Sequence, residues 1–236
     1  MPLHKMLQAV HLIISSKKGI GSHQLSRILE VQYKSAWFLA HRIREAMRSG
    51  DLAPFGSGGG CVEVDETYFG QKAEMPRARG GHAHKMGVLA LVDRDTGTMR
   101  TFTFDKARAN EIHPIVRANI SREARLMTDE ARMYSKIGRE FAEHGTTLHG
   151  SRCYVDRNDP TIHTNTVEGA FSIFKRGMKG VYQHCGEQHL HRYLAEFEFR
   201  YNNRIANGVD DRQRAATALA GIGGKRLTYR PADGGR

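Results

Sequence analysis

The stretch CVEVDETYFG, residues 61–70, marks a change in the pattern of the chain. Before it, SGDLAPFGSGGG at 49–60 is rich in Gly, Ser and Pro and has no periodicity, which predicts a flexible linker. From Cys61 to Asp65 apolar and polar residues alternate, as they do in a half-buried strand. We therefore predict that a sheet domain begins at Cys61 and that its first strand ends at the acid Asp65.

The segments that follow complete an α/β order. The apolar run KMGVLALVD at 85–93 predicts a buried strand, and a hairpin turn leads from it into a third strand. Further on we predict a helix, a strand, a helix, a strand and a helix, at 110–120, 125–128, 135–144, 147–155 and from about Thr166. Three hairpin-linked strands followed by this alternation are typical of a ribonuclease-H-like α/β domain, a mixed sheet flanked by helices. We assign this domain to residues 61–205.

Two aspartates come directly after apolar strands in this order. Asp65 follows the first strand and Asp129 the fourth, and these two strand ends lie side by side in such a sheet. Each aspartate alone also fits an ordinary strand-end or turn acid. Charge beside a core is costly unless it is neutralised, so the pair favours a bound cation. Glu66 and Glu130 come next in sequence and are predicted to point to the other side of the sheet.

The segment HTNTVEGAFSIFKRGMKG at 163–180 predicts an amphipathic helix that begins near Thr166. Glu168, Lys175 and Lys179 share one face of it, so a divalent metal can bind at the acidic end and DNA phosphates at the basic end. Asn165 lies one turn before Glu168, and this spacing also fits a capping box that only stabilises the helix.

Together, Asp65, Asp129 and Glu168 form a set of three carboxylates. Oxygen ligands without cysteine favour Mg²⁺ or Mn²⁺, and such a set can hold two ions for phosphoryl transfer.

The chain begins with three predicted short helices, at 3–14, 23–30 and 36–48. The turn at 31–34 between the last two gives a helix-turn-helix pattern, which we assign to an all-α domain over residues 1–48. Its cations favour DNA binding to phosphates or base edges, through Lys34, Arg42, Arg44 and Arg48. The alternative is a small helical bundle with a solvated basic face.

The composition indicates a polyanionic partner. Among 236 residues the net charge is +11, which favours nucleic acid. Three widely spaced cysteines indicate neither a disulfide framework nor a cysteine zinc site. No apolar run approaches the roughly 18 residues that span a bilayer, so we expect no membrane association and a cytoplasmic, nucleoid-associated protein. Residues 206–236 are polar and basic and are predicted to form a loose tail.

Several segments in combination resemble bacterial insertion-sequence DDE transposases of the ISXO-like group. They are VEVDETYFG at 62–70, MTDEARMY at 127–134, HTNTVEGAFSIFKRGMKGVY at 163–182 and HLHRYLAEFEFRYNNR at 189–204. Residues 16–47 resemble the helix-turn-helix region that precedes the catalytic domain of this group. The resemblance reaches to about Asn203 and implies a transposase or integrase domain of ribonuclease-H-like fold.

The resemblance implies roles for single residues. Asp65 and Asp129 match the first two members of the DDE metal triad, and Glu168 matches the third. Lys175, seven residues after Glu168, matches the E-x6-K pattern of DDE enzymes. Some members of the group have an asparagine as third residue, so Asn165 in the matching HTN remains an alternative to Glu168. Phosphate contacts near the cut are expected from Lys175, Arg176 and Lys179.

The implied reaction takes place on double-stranded DNA, at transposon ends and at a target. Water attacks a phosphodiester at the transposon end, and the freed 3′-OH then attacks target DNA. Transposases bring two ends together, so a homo-oligomer on DNA is expected. Relatives commonly carry a cysteine-rich zinc ribbon before the helix-turn-helix, and we expect this chain to lack it.

Two rival functions remain open. One is a catalytically silent DNA-binding protein derived from a transposase, and the other is a ribonuclease-H-type nuclease, which does not need the helix-turn-helix.

Overall fold

A computed structural model describes residues 1–48, 50, 53–73, 75–76, 81–147 and 155–225. The chain divides into two compact units. The helical unit consists of Met1–Gly50, Arg176–Cys185 and His191–Arg236. The sheet unit consists of Asp51–Lys175 and Gly186–Leu190.

The sheet unit contains one mixed sheet, with five strands in the residues described. They are β1 (Cys61–Phe69), β2 (Met86–Asp93), β3 (Thr98–Phe104), β4 (Arg125–Asp129) and β5 (Glu143–Thr147). Their order across the sheet is β3-β2-β1-β4-β5. The first three strands pair antiparallel, whereas β4 pairs parallel with both β1 and β5. This α/β topology confirms the predicted ribonuclease-H-like fold.

The pairing of β1 with β4 sets the positions of the two predicted aspartates. The parallel pairs run from Cys61↔Arg125 to Glu63↔Met127. Asp65 and Asp129 each lie two residues beyond that last pair, so both side chains point to the same face of the sheet.

Strand β1 does not end at Asp65, and that prediction was wrong. Residues 65–69 stay paired with β2, from Asp65↔Ala90 to Phe69↔Met86. Strand β4 ends at Asp129. Asp65 therefore lies in the middle of a strand, at the point where its parallel neighbour stops.

Different helices pack on the two faces of the sheet. On one face, Val62 and Val64 of β1 belong to an apolar core with Ile112 and Val116 of α4 (Ala109–Asn119). The opposite face, which carries Asp65, contacts α6 (Asn165–Gly177), where the rings of Phe69 and Phe174 lie 5.8 Å apart. The aspartates therefore face α6 and not the apolar core.

The chain between β4 and α6 differs from the prediction. The predicted helix at 135–144 is only the short α5 (Tyr134–Ile137) and a following 3₁₀ turn, and β5 begins at Glu143. The chain returns tightly here, because a Cβ atom on Gly138 would lie 2.0 Å from the His144 ring. Strand β5 thus comes before most of the strand predicted at 147–155, and residues 148–154 of that prediction lie outside the described residues.

Part of the predicted linker at 49–60 is packed. Phe55 is only 7% exposed, and its amide donates a hydrogen bond of 2.8 Å to the Asn119 carbonyl. The Arg100 guanidinium lies 4.0 Å from the centroid of the Phe55 ring. Phe55 thus helps to hold the Gly-rich run on the sheet unit, and the prediction of a flexible linker was wrong around Phe55.

The helical unit includes α1 (Leu3–Ser15), α2 (Ser22–Leu29), α3 (Tyr33–Ala46), most of α7 (Leu190–Asn202) and α8 (Asp211–Ala220). A left-handed residue, Glu30 with φ of 52°, ends α2, and Gln32 precedes α3. The predicted turn at 31–34 is therefore shorter, and Lys34 already lies in α3. None of the helices in the described part of the chain is both long and apolar enough to cross a membrane.

The C-terminal part of the chain joins this unit. Phe199 of α7 and Ala218 of α8 belong to the apolar core formed by the first three helices. Helix α8 starts with a capping box between Asp210 and Gln213. The predicted loose tail was therefore wrong for α8, and the predicted domain end at 205 does not coincide with the unit boundary. Residues 226–236 lie outside the described residues.

Candidate active site

Three acidic side chains, those of Asp65, Asp129 and Glu168, lie within electrostatic reach of one another where β4 ends. Burial raises the pKa of Asp65 to about 8, and the nearby carboxylates of Glu66, Asp129 and Glu168 add to the increase. The backbone amide of Glu66, which donates 2.8 Å to Asp65 Oδ1, opposes it. Since like charges act on Asp65 from a neighbouring strand and from α6, the three predicted triad residues belong to one electrostatic cluster.

Asp129 ends β4 and begins the turn toward α5. Its Oδ1 atom accepts a hydrogen bond of 3.0 Å from the amide of Ala131, which fixes the side chain at the strand end. The side chain is half-buried, as is that of Asp65. Both carboxylates thus keep partial access to solvent beside the end of β4.

Glu168 lies in the first turn of α6, and Asn165 is the first residue of that helix. The Glu168 amide donates to the Thr164 carbonyl at 3.1 Å, and the Thr164 hydroxyl donates to Glu168 Oε1 at 3.2 Å. The capping box considered for Asn165 and Glu168 is therefore not formed, because Thr164 takes the position before the helix. Asn165 is exposed, whereas Glu168 is half-buried beside the acid cluster.

Glu66 points to the other face of the sheet, as predicted. The hydroxyl of Tyr134, the first residue of α5, donates to Glu66 Oε2 at 2.6 Å. Burial raises the pKa of Glu66 to about 7, while this hydrogen bond lowers it. Glu66 therefore joins β1 to α5 and lies on the side away from α6.

We expect Tyr134→Phe to lower the free energy of unfolding by about 1.5–3 kcal/mol above pH 7, because it removes a hydrogen bond to a carboxylate. The bond lowers the pKa of Glu66, so its contribution is present where Glu66 is ionised and is lost as pH falls through about 7. Urea unfolding of wild type and variant between pH 5 and 9 measures this difference. Tyr33→Phe on α3 is the control, and a difference that does not change with pH would contradict the assignment.

The predicted DNA-binding cations are mostly accessible. Lys175 lies two turns after Glu168 and is half-buried, and the exposed residues are Lys34, Arg42, Arg48, Arg176 and Lys179. Arg48 also forms an ion pair with Glu45 at 2.7 Å. These positions stay as predicted DNA contacts.

Arg44 is the exception, and the prediction that it contacts DNA was wrong. Its side chain is 0% exposed, and its Nε donates to Glu196 Oε2 at 2.6 Å. The guanidinium lies 4.2 Å from the ring centroid of Tyr193 and 5.0 Å from that of Tyr182. Arg44 follows the buried Ala36 and Ala40 at helical spacing, so it falls on the inner face of α3.

A family model for the ISXO2-like transposase domain matches residues 58–202. The chain belongs to the ISXO2-like transposase family. A comparison with curated proteins found no match. Membership in this transposase family confirms the resemblance seen in the sequence and agrees with the acid cluster on a ribonuclease-H-like sheet.

DDE transposases generally use divalent metal ions. In the described part of this transposase-family chain, no three His, Cys, Asp or Glu side chains form a group that holds a metal ion as they stand. The chemistry of the donors still suits such an ion, because Asp65, Asp129 and Glu168 supply oxygen ligands and the last two repel the charge on Asp65. A bound divalent cation would relieve that repulsion.

Two residues near the site were not predicted. Glu63, two residues before Asp65 on β1, forms an ion pair with Arg94, with 2.6 Å between Glu63 Oε1 and Arg94 Nε. In the sequence, Glu63 reads only as the polar residue of an alternating strand, and Arg94 as part of a hairpin turn. Their pairing depends on contacts between distant segments, for which the sequence carries no local signal.

Proposed function

We propose that this chain is an insertion-sequence transposase that cleaves DNA strands at transposon ends and transfers them to target DNA, with divalent metal ions. The observation that carries the proposal is the cluster of Asp65, Asp129 and Glu168, supplied by two neighbouring strands and α6 in a member of this family.

Asp65, Asp129 and Glu168 are the residues proposed to hold the metal. Their hard oxygen donors suit Mg²⁺ or Mn²⁺, and we expect two ions. When bound, such ions neutralise charge that develops on the attacking and leaving oxygens of a phosphodiester. A bound cation would oppose the burial and the repulsion that raise the pKa of Asp65, and would so favour the anionic form of that side chain.

The exposed cations are proposed to bind the DNA backbone. Lys175 lies on the same helix as Glu168, so a phosphate held there is close to the acid cluster. The cations of α3, Lys34, Arg42 and Arg48, are proposed to bind a separate part of the duplex, in keeping with the helix-turn-helix interpretation. A homo-oligomer that pairs two DNA ends, located at the bacterial nucleoid, belongs to the same proposal.

The test is Mn²⁺-dependent cleavage of a labelled duplex that carries the element's own terminal repeat. Wild type is compared with Glu168→Ala and Asn165→Ala. We expect wild type to cut, Glu168→Ala to be inactive and Asn165→Ala to retain activity, because Glu168 is the one of the two that acts electrostatically on Asp65. The opposite pattern would assign the third position to Asn165.

Two other outcomes would favour the rival functions. Wild type that binds the repeat without cutting it at any tested ion would favour a silent DNA-binding protein. Cleavage of RNA–DNA hybrids without activity on the repeat would favour a ribonuclease-H-type nuclease.

We expect Lys179→Ala to weaken binding to all duplex sequences to a similar degree. Loss of one phosphate contact reduces the slope of log affinity against log salt concentration by about 0.9. Fluorescence anisotropy between about 50 and 200 mM salt, without divalent metal, measures that slope. Arg139→Ala on the 3₁₀ turn after α5 is the control, and an unchanged slope for Lys179→Ala would contradict the phosphate contact.

A further inference from the structure

Glu63 is a buried carboxylate that the proposed chemistry does not use. It lies on β1, two residues before Asp65 and on the same face of the sheet, and its side chain is 0% exposed. Burial of an ionised carboxylate is costly unless its oxygens are bonded to donors. The donors that surround Glu63 therefore indicate which segments it joins.

Both oxygens of Glu63 are bonded. Oε1 accepts from Arg94 Nε at 2.6 Å and lies 3.3 Å from His163 Nδ1. Oε2 accepts from the backbone amide of Val167 at 2.8 Å. Val167 is the third residue of α6, so its amide is one of those that have no partner within the helix. Glu63 thus caps α6 from a neighbouring strand, where the positive end of the helix dipole also favours an anion.

Arg94 holds the segment that leads into α6. Its Nη1 donates to the Thr161 carbonyl at 2.6 Å, and its Nη2 donates to the His163 carbonyl at 2.6 Å. Its own amide donates to the Cys61 carbonyl at 2.9 Å, which ties Arg94 to the start of β1. The planar guanidinium therefore fixes residues 161–163 relative to the sheet.

These contacts bear directly on the acid cluster. Glu63 is two residues from Asp65, and its partner Val167 directly precedes Glu168. The hydrogen bonds of Glu63 thus fix the position and the rotation of the first turn of α6 relative to β1. Loss of either bond, from Glu63 to Arg94 or to the Val167 amide, would let the start of α6 move and would change the separation of the Asp65 and Glu168 carboxylates.

We propose that Glu63 and Arg94 are positioning residues that fix the start of α6, so that Glu168 can join Asp65 and Asp129 in binding the metal. This inference rests on the proposed function. Neither residue touches DNA or the reacting atoms in this role; they act through the start of α6.

The experiment uses Glu63→Gln in the full chain. Gln keeps the shape and can still accept from the Val167 amide, but it loses the charge that pairs with Arg94. Mn²⁺ binding is measured by electron paramagnetic resonance without DNA, and cleavage is measured as a function of Mn²⁺ concentration. We expect Mn²⁺ affinity to fall about 10- to 100-fold, the loss typical when a residue that orients a metal ligand is changed. Duplex affinity measured without divalent metal should stay unchanged.

Glu140→Gln is the matched control. Glu140 pairs with Arg117 and Arg122 in the same unit, so the variant also loses a carboxylate bonded to arginine. We expect its Mn²⁺ affinity to equal that of wild type. A merely structural role for Glu63 would lower the thermal midpoint and the folded fraction, yet leave the Mn²⁺ affinity of the folded protein unchanged; this result would overturn the proposal.

Should Glu63→Gln fail to fold, Arg94→Lys decides the question. Lys keeps the charge but cannot reach Glu63 and both carbonyls at once, so the same loss of Mn²⁺ affinity is expected; wild-type affinity would overturn the proposal. Failure of the proposed function gives a different result. Wild type that binds Mn²⁺ but does not cut DNA contradicts the transposase proposal, while the comparison of Mn²⁺ affinities still tests the positioning role.

Discussion

Asp65→Asn is expected to reduce metal-dependent strand cleavage by about 10³-fold, or about 4 kcal/mol in the activation free energy. Asn keeps the size of the side chain but removes the anionic oxygen proposed to bind the metal. Asp65 is the most central of the three candidates, since both Asp129 and Glu168 act on it electrostatically. DNA binding should persist because the proposed phosphate contacts lie on other residues.

Cleavage of the terminal-repeat duplex in Mn²⁺ and anisotropy in its absence measure the two quantities. Glu130→Gln, the same kind of change at the exposed acid next to Asp129, is the control and should cut like wild type. An Asp65→Asn protein that cuts at the wild-type rate would remove Asp65 from the proposed site.

The stability of the same variant separates a catalytic from a structural role. The pKa of Asp65 is raised in the folded protein, so the contribution of Asp65 to the stability of the metal-free wild type is lost as pH rises from about 4 through about 8. Asn does not ionise, and the metal-free variant should become more stable than wild type as pH approaches 8. A variant that unfolds more easily throughout this range would indicate that Asp65 is a structural strand residue.

Arg44→Ala is expected to lower the free energy of unfolding by about 3–5 kcal/mol, because removal of one partner leaves a buried charge poorly compensated. Glu196 is 0% exposed and also bonds Arg200 and the Tyr182 hydroxyl. Burial alone would raise the pKa of Glu196, but Arg200 and Arg44 outweigh it and hold the pKa below its usual value. Without Arg44, the pKa of Glu196 rises and its buried charge costs more free energy in the folded protein.

Arg42→Ala provides a matched comparison two residues earlier on α3. Arg42 is exposed, and its guanidinium carbon lies 6.0 Å from the centroid of the Phe38 ring. We expect its loss to weaken DNA binding with little effect on the urea midpoint, whereas Arg44→Ala lowers the midpoint. Equal stability of the two variants would mean that the buried pair contributes nothing to the fold.

The sheet was largely predictable because its strands carry strong local patterns. The apolar run before Asp93 and the alternating 61–65 identify β2 and β1 without any tertiary information. The extension of β1 to Phe69 was not predictable in the same way. Polar residues such as Glu66 and Thr67 remain in the strand because β2 supplies their hydrogen-bond partners. Strand β5, with His, Gly and Thr, likewise depends on its pairing with β4.

The closeness of Asp65 and Asp129 was predictable from chain order, since a known topology places β1 beside β4, but the position of Asp65 inside β1 was not. Details that depend on a partner far along the chain were not predictable. A charged residue such as Arg44 can be buried on α3 because Glu196, 152 residues later, pairs with it. Helix α8 is short and polar, and its packing through Ala218 gives little periodic signal.

The register between β1 and β4 limits how this chain can change in length. Because side chains alternate along a strand, one residue inserted between Glu63 and Asp65 would turn the aspartate into the apolar core beside Val64. The same insertion in the connection between β1 and β2, around Gln71, leaves every pair in register. Homologous proteins that share this sheet should therefore vary in length in that connection and keep the spacing inside β1 and β4 constant.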